Sequence, residues 1–415
     1  MKVLVSLPTN HKNFSSIDDV LSGKAACSGT DGSFIRLASF LSEAGFDVSL
    51  SAACKIPSTP FPCILHAQVK ANQFDHLVVH QSHWNGTSLT FGNQVISKVS
   101  LWLQNQIIQP LVYTFLKEGG SRIVCPTFYH AGVYRALPHW RQKIAVVYNS
   151  YCPVFQPVIA PPNNGSSKPR LLFVGAIAEY KGFLELMQIW SYLAKKRANL
   201  ELAIAGSIVL HSSGGNVGAM GLAKADFESS YIRPWLESLP EEYQPNFLGA
   251  LSPDKLKIEL AKSWAVIVNP SFRVPETFCV AAVEAQSCDR TVFSVACGAL
   301  KETVYRGKFD PLVASTSTED LGERILEGLS NAALISEHGR LAGEFVREKF
   351  GFQVIQNSWV DLLTNKKIPP YLPATCSSPR DLVCDLMRWS NIAMLVGRYR
   401  NSEYGQVLAA YRNSK

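Results

Sequence analysis

Twice along the chain a short apolar, β-rich run passes through a polar loop into a helical period and then into another apolar run. That alternation restricts the fold more than any other feature. The opening KVLVSL is followed, after a polar stretch, by FIRLASFLSEAG, whose apolar residues recur at helical spacing up to a glycine, and FDVSLSAA restarts a strand. Strand, loop, helix, strand is the βαβ unit of a parallel sheet. DHLVVHQ, KVSLWLQ, SRIVCP and IAVVYNS continue the series. Residues 156–169, QPVIAPPNNGSSKP, then bring four prolines, a glycine and no apolar period, the composition of a linker. A second series begins at once with RLLFVGA, LELAIAGS, PNFLGAL, WAVIVNPS and TVFSVAC, separated by helical patterns such as FLELMQIWSYLAKK and FCVAAVEAQS. The expected layout is an N-terminal Rossmann-like domain over 1–160, a linker over 161–169 and a second Rossmann-like domain over 170–365. A tail over 366–415, with a helical run from Asp381 towards Tyr411, is expected to pack on the first domain.

Length supports two domains, since 415 residues exceeds the size at which a single core keeps growing. Apolar residues form 47% of the chain and charged ones 18%, which suits a large buried core and argues against disorder or a coiled coil. The net charge of +7 is spread without a dense basic run, so nucleic acid is not demanded as a partner. A mildly basic face suits an anionic nucleotide or a lipid headgroup surface, and equally an ordinary solvated surface. Ten cysteines without a C-x-x-C pair, and an apolar start too short for a signal peptide, point to a reducing cytosol. The sequons at Asn13, Asn85 and Asn164 would then stay unglycosylated. No apolar run reaches the roughly 18 residues that span a bilayer.

Open parallel sheets bind ligands at the carboxyl ends of their strands, where loops and helix N-termini present N–H groups. Three loops fit. CSGTDGS, Cys27 to Ser33, lies after the first strand and before a helix, and Gly29 and Gly32 would admit a phosphate closely, against which Asp31 counts slightly. VGAIAEYKG, Val174 to Gly182, places Lys181 near a helix start, where ammonium and dipole together would neutralise a diphosphate, although a lone lysine there is usually just solvated. NPSFRVPETFCVAAVEAQS puts Glu276 at a loop-to-helix junction and Glu284 eight residues later among small apolar residues. Eight helical residues cover about 12 Å, comparable to the span from ribose to sugar in a nucleotide sugar. The plainer alternative makes Glu276 a dipole-favoured N-terminal acid and Glu284 a solvent-facing residue. For Glu284 that alternative is poor, because its apolar neighbours suggest a buried helix in which an unpaired carboxylate is costly.

Together VG-x-KG, the strand LAIAG, FLGAL and NPS-x-E-x-F-x7-E resemble the second domain of retaining GT-B glycosyltransferases of the family 4 and glycogen synthase type. The Glu276-x7-Glu284 spacing is the most specific element. The likeness runs over nearly the whole chain, with CSGTDGS resembling the family's glycine loop and VVYNSYCPVF its segment before the linker. It implies an α/β GT-B fold of two doubly wound Rossmann-like domains facing across a cleft, with a C-terminal helix crossing back to the first. It also implies that Lys181 stabilises the diphosphate, that Glu276 and the backbone of Thr277, Phe278, Cys279 and Val280 hold the donor sugar, and that Glu284 binds the ribose. Leu251 falls where the family contacts the base, and Gly32 where its first domain approaches the phosphate. No metal and no resident cofactor are implied, the donor being a nucleotide sugar, UDP- or GDP-linked rather than ADP-linked. Nor does a D-x-D signature or a His/Cys cluster suggest a metal.

Three positions depart from the pattern: Ala176 replaces the family's arginine, Gln104 its first-domain histidine, and Cys279 the glycine after E-x-F. Arg273, three residues before Glu276, is the candidate to restore the cationic clamp. Two functions follow: a retaining glycosyltransferase acting on a glycan, lipid-linked or small-molecule acceptor in the cytoplasm or at the inner membrane face, and a nucleotide-sugar-binding homologue with weakened turnover that acts as a regulatory or scaffolding partner. A sugar-nucleotide epimerase or phosphorylase fits less well, because no lysine environment suggests pyridoxal phosphate. Acceptor contacts are expected in the first domain around His83, Trp84, Asn85 and the aromatic stretch from Val95 to Phe115, which core packing explains equally. The Gly-rich HSSGGNVGAMG is a candidate lid or a plain surface loop.

Overall fold

The computed structural model describes residues 1–10, 15–134, 142–158, 168–196, 198–207 and 217–364. The sequons at Asn13 and Asn164, the centre of the linker and the tail over 366–415 lie outside the described residues. The described chain forms two units.

The first unit is a seven-stranded sheet in the order β3-β2-β1-β4-β5-β6-β7. Its strands are β1 (Lys2–Ser6), β2 (Asp47–Ala52), β3 (Cys63–Leu65), β4 (His76–His80), β5 (Val99–Trp102), β6 (Arg122–Cys125) and β7 (Ile144–Val146). Every pairing is parallel. Continuous apolar runs explain this: Val3, Leu4 and Val5 are all fully buried, as expected of strands covered on both faces. The helix Gly29–Glu43 starts five residues before the apolar period of FIRLASFLSEAG, so Gly32 sits buried in its first turn and not in a preceding loop. Ser33 Oγ donates to Gly29 O at 2.7 Å and closes that turn.

The helix Phe352–Leu363 belongs to this first unit and not, as the apolar pattern alone suggests, to a domain over 170–365. Three contacts explain the placement. Trp359 is fully buried with its ring 4.8 Å from that of Trp102, Phe352 meets Phe40 edge-on at 4.5 Å, and Gln356 Nε2 donates to Phe40 O at 2.8 Å. The chain therefore returns to its first unit already at Phe352.

The second unit takes Asp19–Ser28 and Tyr151–Gly351. Within it Asp254 N donates to Gly23 O at 3.0 Å. Its sheet runs β10-β9-β8-β11-β12-β13, from β8 (Arg170–Val174), β9 (Glu201–Ala205), β10 (Asn246–Gly249), β11 (Ala265–Ile267), β12 (Thr291–Val295) and β13 (Leu312–Val313), again all parallel. The direction of winding reverses between β8 and β11, and in such sheets the reversal opens a crevice at the carboxyl ends of the strands. Gly206, just past β9, lies so close to the β8 loop that a Cβ on it would be 1.7 Å from Gly175 O. Of the Gly-rich insertion, the part from Val217 is described: a turn closed by a Val217–Lys224 bridge and fastened by buried Glu228, which accepts from the backbone N–H groups of Met220, Leu222 and Ala223 at 2.7–2.9 Å.

Candidate donor site at the second sheet's reversal

Two loops leave the strands on either side of the reversal, one after β8 and one after β11. The first folds as a tight turn, Glu179–Lys181, and then places Gly182 in the left-handed region at φ 74° before the helix Phe183–Lys195 begins. Glycine is required here, since a Cβ would meet Pro270 Cδ at 2.7 Å and Pro270 N at 2.9 Å. The close approach to Pro270 brings the two loops together. Lys181 Nζ donates to Glu276 Oε1 at 2.7 Å, with 29% and 12% of their side-chain surfaces exposed. Among the described residues this uses one donor of the ammonium and leaves two. Burial by itself would lower the Lys181 pKa, but the charge and hydrogen bond of Glu276 outweigh it and hold the ammonium above its ordinary value.

Asn269, which the sequence patterns did not single out, is the third member. It is buried and adopts φ 28°, and its Nδ2 donates to Glu276 Oε1 at 2.9 Å. Behind it Ser294 Oγ of β12 lies 2.6 Å from Val268 O and 3.0 Å from Asn269 O. Glu276 is braced from the other side too: Ala299 N donates to Glu276 O at 2.9 Å, and a Cβ on Gly298 would stand 2.8 Å from that oxygen. The one available signal was an asparagine at a strand end, the residue type most tolerant of a left-handed backbone after glycine.

The helix Val280–Ser287 starts four residues after Glu276, not at it, so the 12 Å spacing of a continuous helix from Glu276 to Glu284 does not apply. Thr277, Phe278 and Cys279 form a buried approach to its first turn, whose dipole favours negative charge. Glu284 is half-buried beside Val280 and Ala281 on the helix's less buried face, whereas Ala282, Val283, Ala285 and Gln286 are buried. The expectation of an enclosed carboxylate is therefore corrected. Burial, then the neighbouring Glu276, pushes the Cys279 thiol up to about 12, so it stays protonated and unreactive.

Arg273 is turned to other work. Its Nη1 lies 2.6 Å from Glu179 Oε1 and its Nε 3.0 Å from Glu185 Oε1, and Ser271 Oγ donates to the same Glu185 oxygen at 2.9 Å. Ala176 is buried. Leu251 lies half-buried just past β10, and Gly32 belongs to the first unit. In that unit Gln104 and Asn149 exchange amide hydrogen bonds at 3.2 and 2.8 Å. His83 and Trp84 are core residues: His83 Nε2 lies 2.7 Å from Leu7 O, and Trp84 Nε1 donates to Leu111 O at 2.8 Å. Among the described residues no group of three His, Cys, Asp or Glu side chains is disposed to hold a metal ion.

Two units, each built on a doubly wound parallel sheet, give the chain the GT-B class of architecture, and solved structures agree. Sucrose-phosphate synthase from Thermosynechococcus elongatus superimposes with a TM-score of 0.66 at 15% identity, covering 88% of this chain and 98% of that one. HepE of Anabaena, solved with UDP and glucose, gives 0.59 at 12% identity over 88% and 99%, and WaaG, a glycosyltransferase involved in lipopolysaccharide biosynthesis, 0.57 at 14% over 88% and 100%. Residues 157–342, which lie within the second unit, match the family model of glycosyl transferases group 1. No curated protein matches the chain by sequence.

Proposed function

We propose that the chain is a retaining glycosyltransferase that moves a sugar from a nucleotide sugar to a glycan, lipid-linked or small-molecule acceptor, without metal or resident cofactor. The observation that carries this is the Lys181–Glu276 pair at the reversal of the second sheet, near the N-terminus of the helix Val280–Ser287. In this proposal the two unused donors of Lys181 and the helix dipole take the charge that develops on the departing diphosphate. Glu276 and the backbone from Thr277 to Val280 orient the sugar, Glu284 takes the ribose, and Leu251 approaches the base. Configuration is retained because the acceptor attacks on the face that the diphosphate leaves. The donor is UDP- or GDP-linked, and HepE, which shares the fold, has been solved with UDP-glucose. Location in the cytoplasm, with peripheral contact at the inner membrane face for a lipid-linked acceptor, belongs to the same proposal. No helix among the described residues is long and apolar enough to cross a membrane.

A second function has one observation in its favour. Arg273 is held by Glu179 and Glu185 and Ala176 offers no charge, so the cationic clamp rests on Lys181, as in a homologue that binds nucleotide sugars with little turnover. Hydrolysis of UDP-glucose, UDP-N-acetylglucosamine and GDP-mannose by the full chain, with Lys181→Ala as control, separates the two. Lysine-dependent release of nucleoside diphosphate supports transfer chemistry, and tight binding with no release in the wild type would sink it.

A further inference from the structure

Lys181 Nζ and Asn269 Nδ2 converge on the same oxygen of Glu276, Oε1, at 2.7 and 2.9 Å. Among the described residues no hydrogen bond is made to Oε2, and that oxygen is not enclosed. The carboxylate is thus pinned by one oxygen and presents the other. The amide's orientation is set by its surroundings: besides Glu276 Oε1 it faces Val274 O at 3.4 Å, and both are acceptors, so only the NH2 end can point there. Among the described residues Asn269 Oδ1 has no partner, and it is buried, as is the residue as a whole, at 4% exposure. A residue buried at a positive φ with half its amide unsatisfied is not what packing alone selects.

Resting on the donor-site proposal above, we infer that Asn269 is a positioning residue for Glu276: its amide orients the carboxylate so that Oε2 faces a hydroxyl of the donor sugar. Ammonium alone would not do this. Lys181 donates through a flexible four-carbon stem and fixes a charge rather than a direction, whereas Asn269, two residues past β11, has its carbonyl held by Ser294 Oγ at 3.0 Å and holds Oε1 from a second side.

Asn269→Asp tests this with little change of shape. Aspartate tolerates the left-handed backbone, but replaces the donor with an acceptor against Glu276 Oε1. Losing a hydrogen bond to a charged group predicts a fall of about tenfold to hundredfold in UDP-glucose hydrolysis. The variant should also recover in part as the pH is lowered to about 5, where two adjacent carboxyls share a proton and the bond re-forms. The charged or titratable groups around that pair are Lys181, Tyr180 and Cys279, and the latter two have pKa values held above their ordinary ranges, so neither titrates in that interval. Asn269→Gly relieves the backbone and removes the amide, and is expected to lose about tenfold with no recovery at low pH. A wild type that hydrolyses and binds none of the nucleotide sugars overturns the donor-site proposal. A wild type that does, with either variant equally active from pH 5 to 8, overturns the role of Asn269 alone. A loss in both variants that tracks only their melting temperatures, with no acid recovery of Asn269→Asp, overturns it as well.

Discussion

Lys181 Nζ lies 2.7 Å from Glu276 Oε1, joining residues 95 apart in sequence across the reversal of the second sheet. Both members are only partly exposed, so neither is dispensable to the other. Lys181→Ala removes the cation and leaves a mostly buried carboxylate without it. Donor turnover should fall about 10²-fold to 10³-fold, the usual effect of losing one charge-stabilising donor. Glu276→Gln keeps the shape and should weaken sugar orientation while preserving binding of UDP alone. Steady-state hydrolysis and UDP calorimetry on both variants check this; equal UDP affinity in Lys181→Ala and wild type would contradict it.

The same pair sets an alkaline limit. Because the folded-state pKa of Lys181 is raised, the stabilisation it contributes is complete below the ordinary lysine value and is lost only as the pH rises through the higher, folded one. A hydrolysis profile should therefore show no limb belonging to Lys181 from about pH 7 to 10. A limb in that interval that Lys181→Arg removes would contradict the assignment.

Acid should destabilise the first unit early. Burial drives His76 down to about 4, with Arg122 adding to it, and drives His80 and His130 down to about 3. These rings stay neutral when folded, while the unfolded chain takes up protons from about pH 6.5 downward. Stability is thus full above about 6.5 and declines as the pH falls towards 4, by up to about 1.4 kcal/mol per pH unit for each histidine. Urea melts at pH 7.5, 6 and 5 read the slope. His76→Gln, which can still meet Ser100 Oγ, now 2.8 Å from His76 Nε2, should flatten it; an unchanged slope would contradict the prediction.

Gly182→Ala would force a Cβ at φ 74° to within 2.7 Å of Pro270 Cδ and 2.9 Å of Pro270 N. The strain should cost more than about 1 kcal/mol and push the Lys181 turn away from the Asn269–Pro270 loop. Melting temperature and UDP affinity should fall together; a fall in stability with unchanged affinity would show that the turn does not shape the site.

Trp359→Ala should cost about 3–5 kcal/mol, because the ring is fully buried against Trp102. A loss below about 1 kcal/mol in a denaturant melt would mean that the helix Phe352–Leu363 is not held as described.

Much of this was legible in the chain itself. Strand runs such as VLV in β1 and LLF in β8 announce parallel sheets because both faces are covered, and the loops carrying Lys181 and Glu276 follow from the strand order. What was hidden depended on contacts distant in sequence. The helix Phe352–Leu363 has an apolar period compatible with either unit, and only Trp102 and Phe40, more than 250 residues earlier, decide between them. Arg273 sits three residues from Glu276, yet the acids at 179 and 185 draw its guanidinium elsewhere, a competition no local pattern reveals. Asn269 leaves no mark in the sequence pattern, because what distinguishes it is a backbone angle and one amide bond.

The most direct measurement is the thermal stability of the full chain titrated with UDP-, GDP- and ADP-sugars. A ligand at 100 times its Kd adds about 2.7 kcal/mol of stability, so a UDP- or GDP-sugar should raise the melting temperature, and Lys181→Ala should abolish most of the rise. No shift with any nucleotide sugar, or an equal shift in Lys181→Ala, would contradict a donor site built on Lys181 and Glu276.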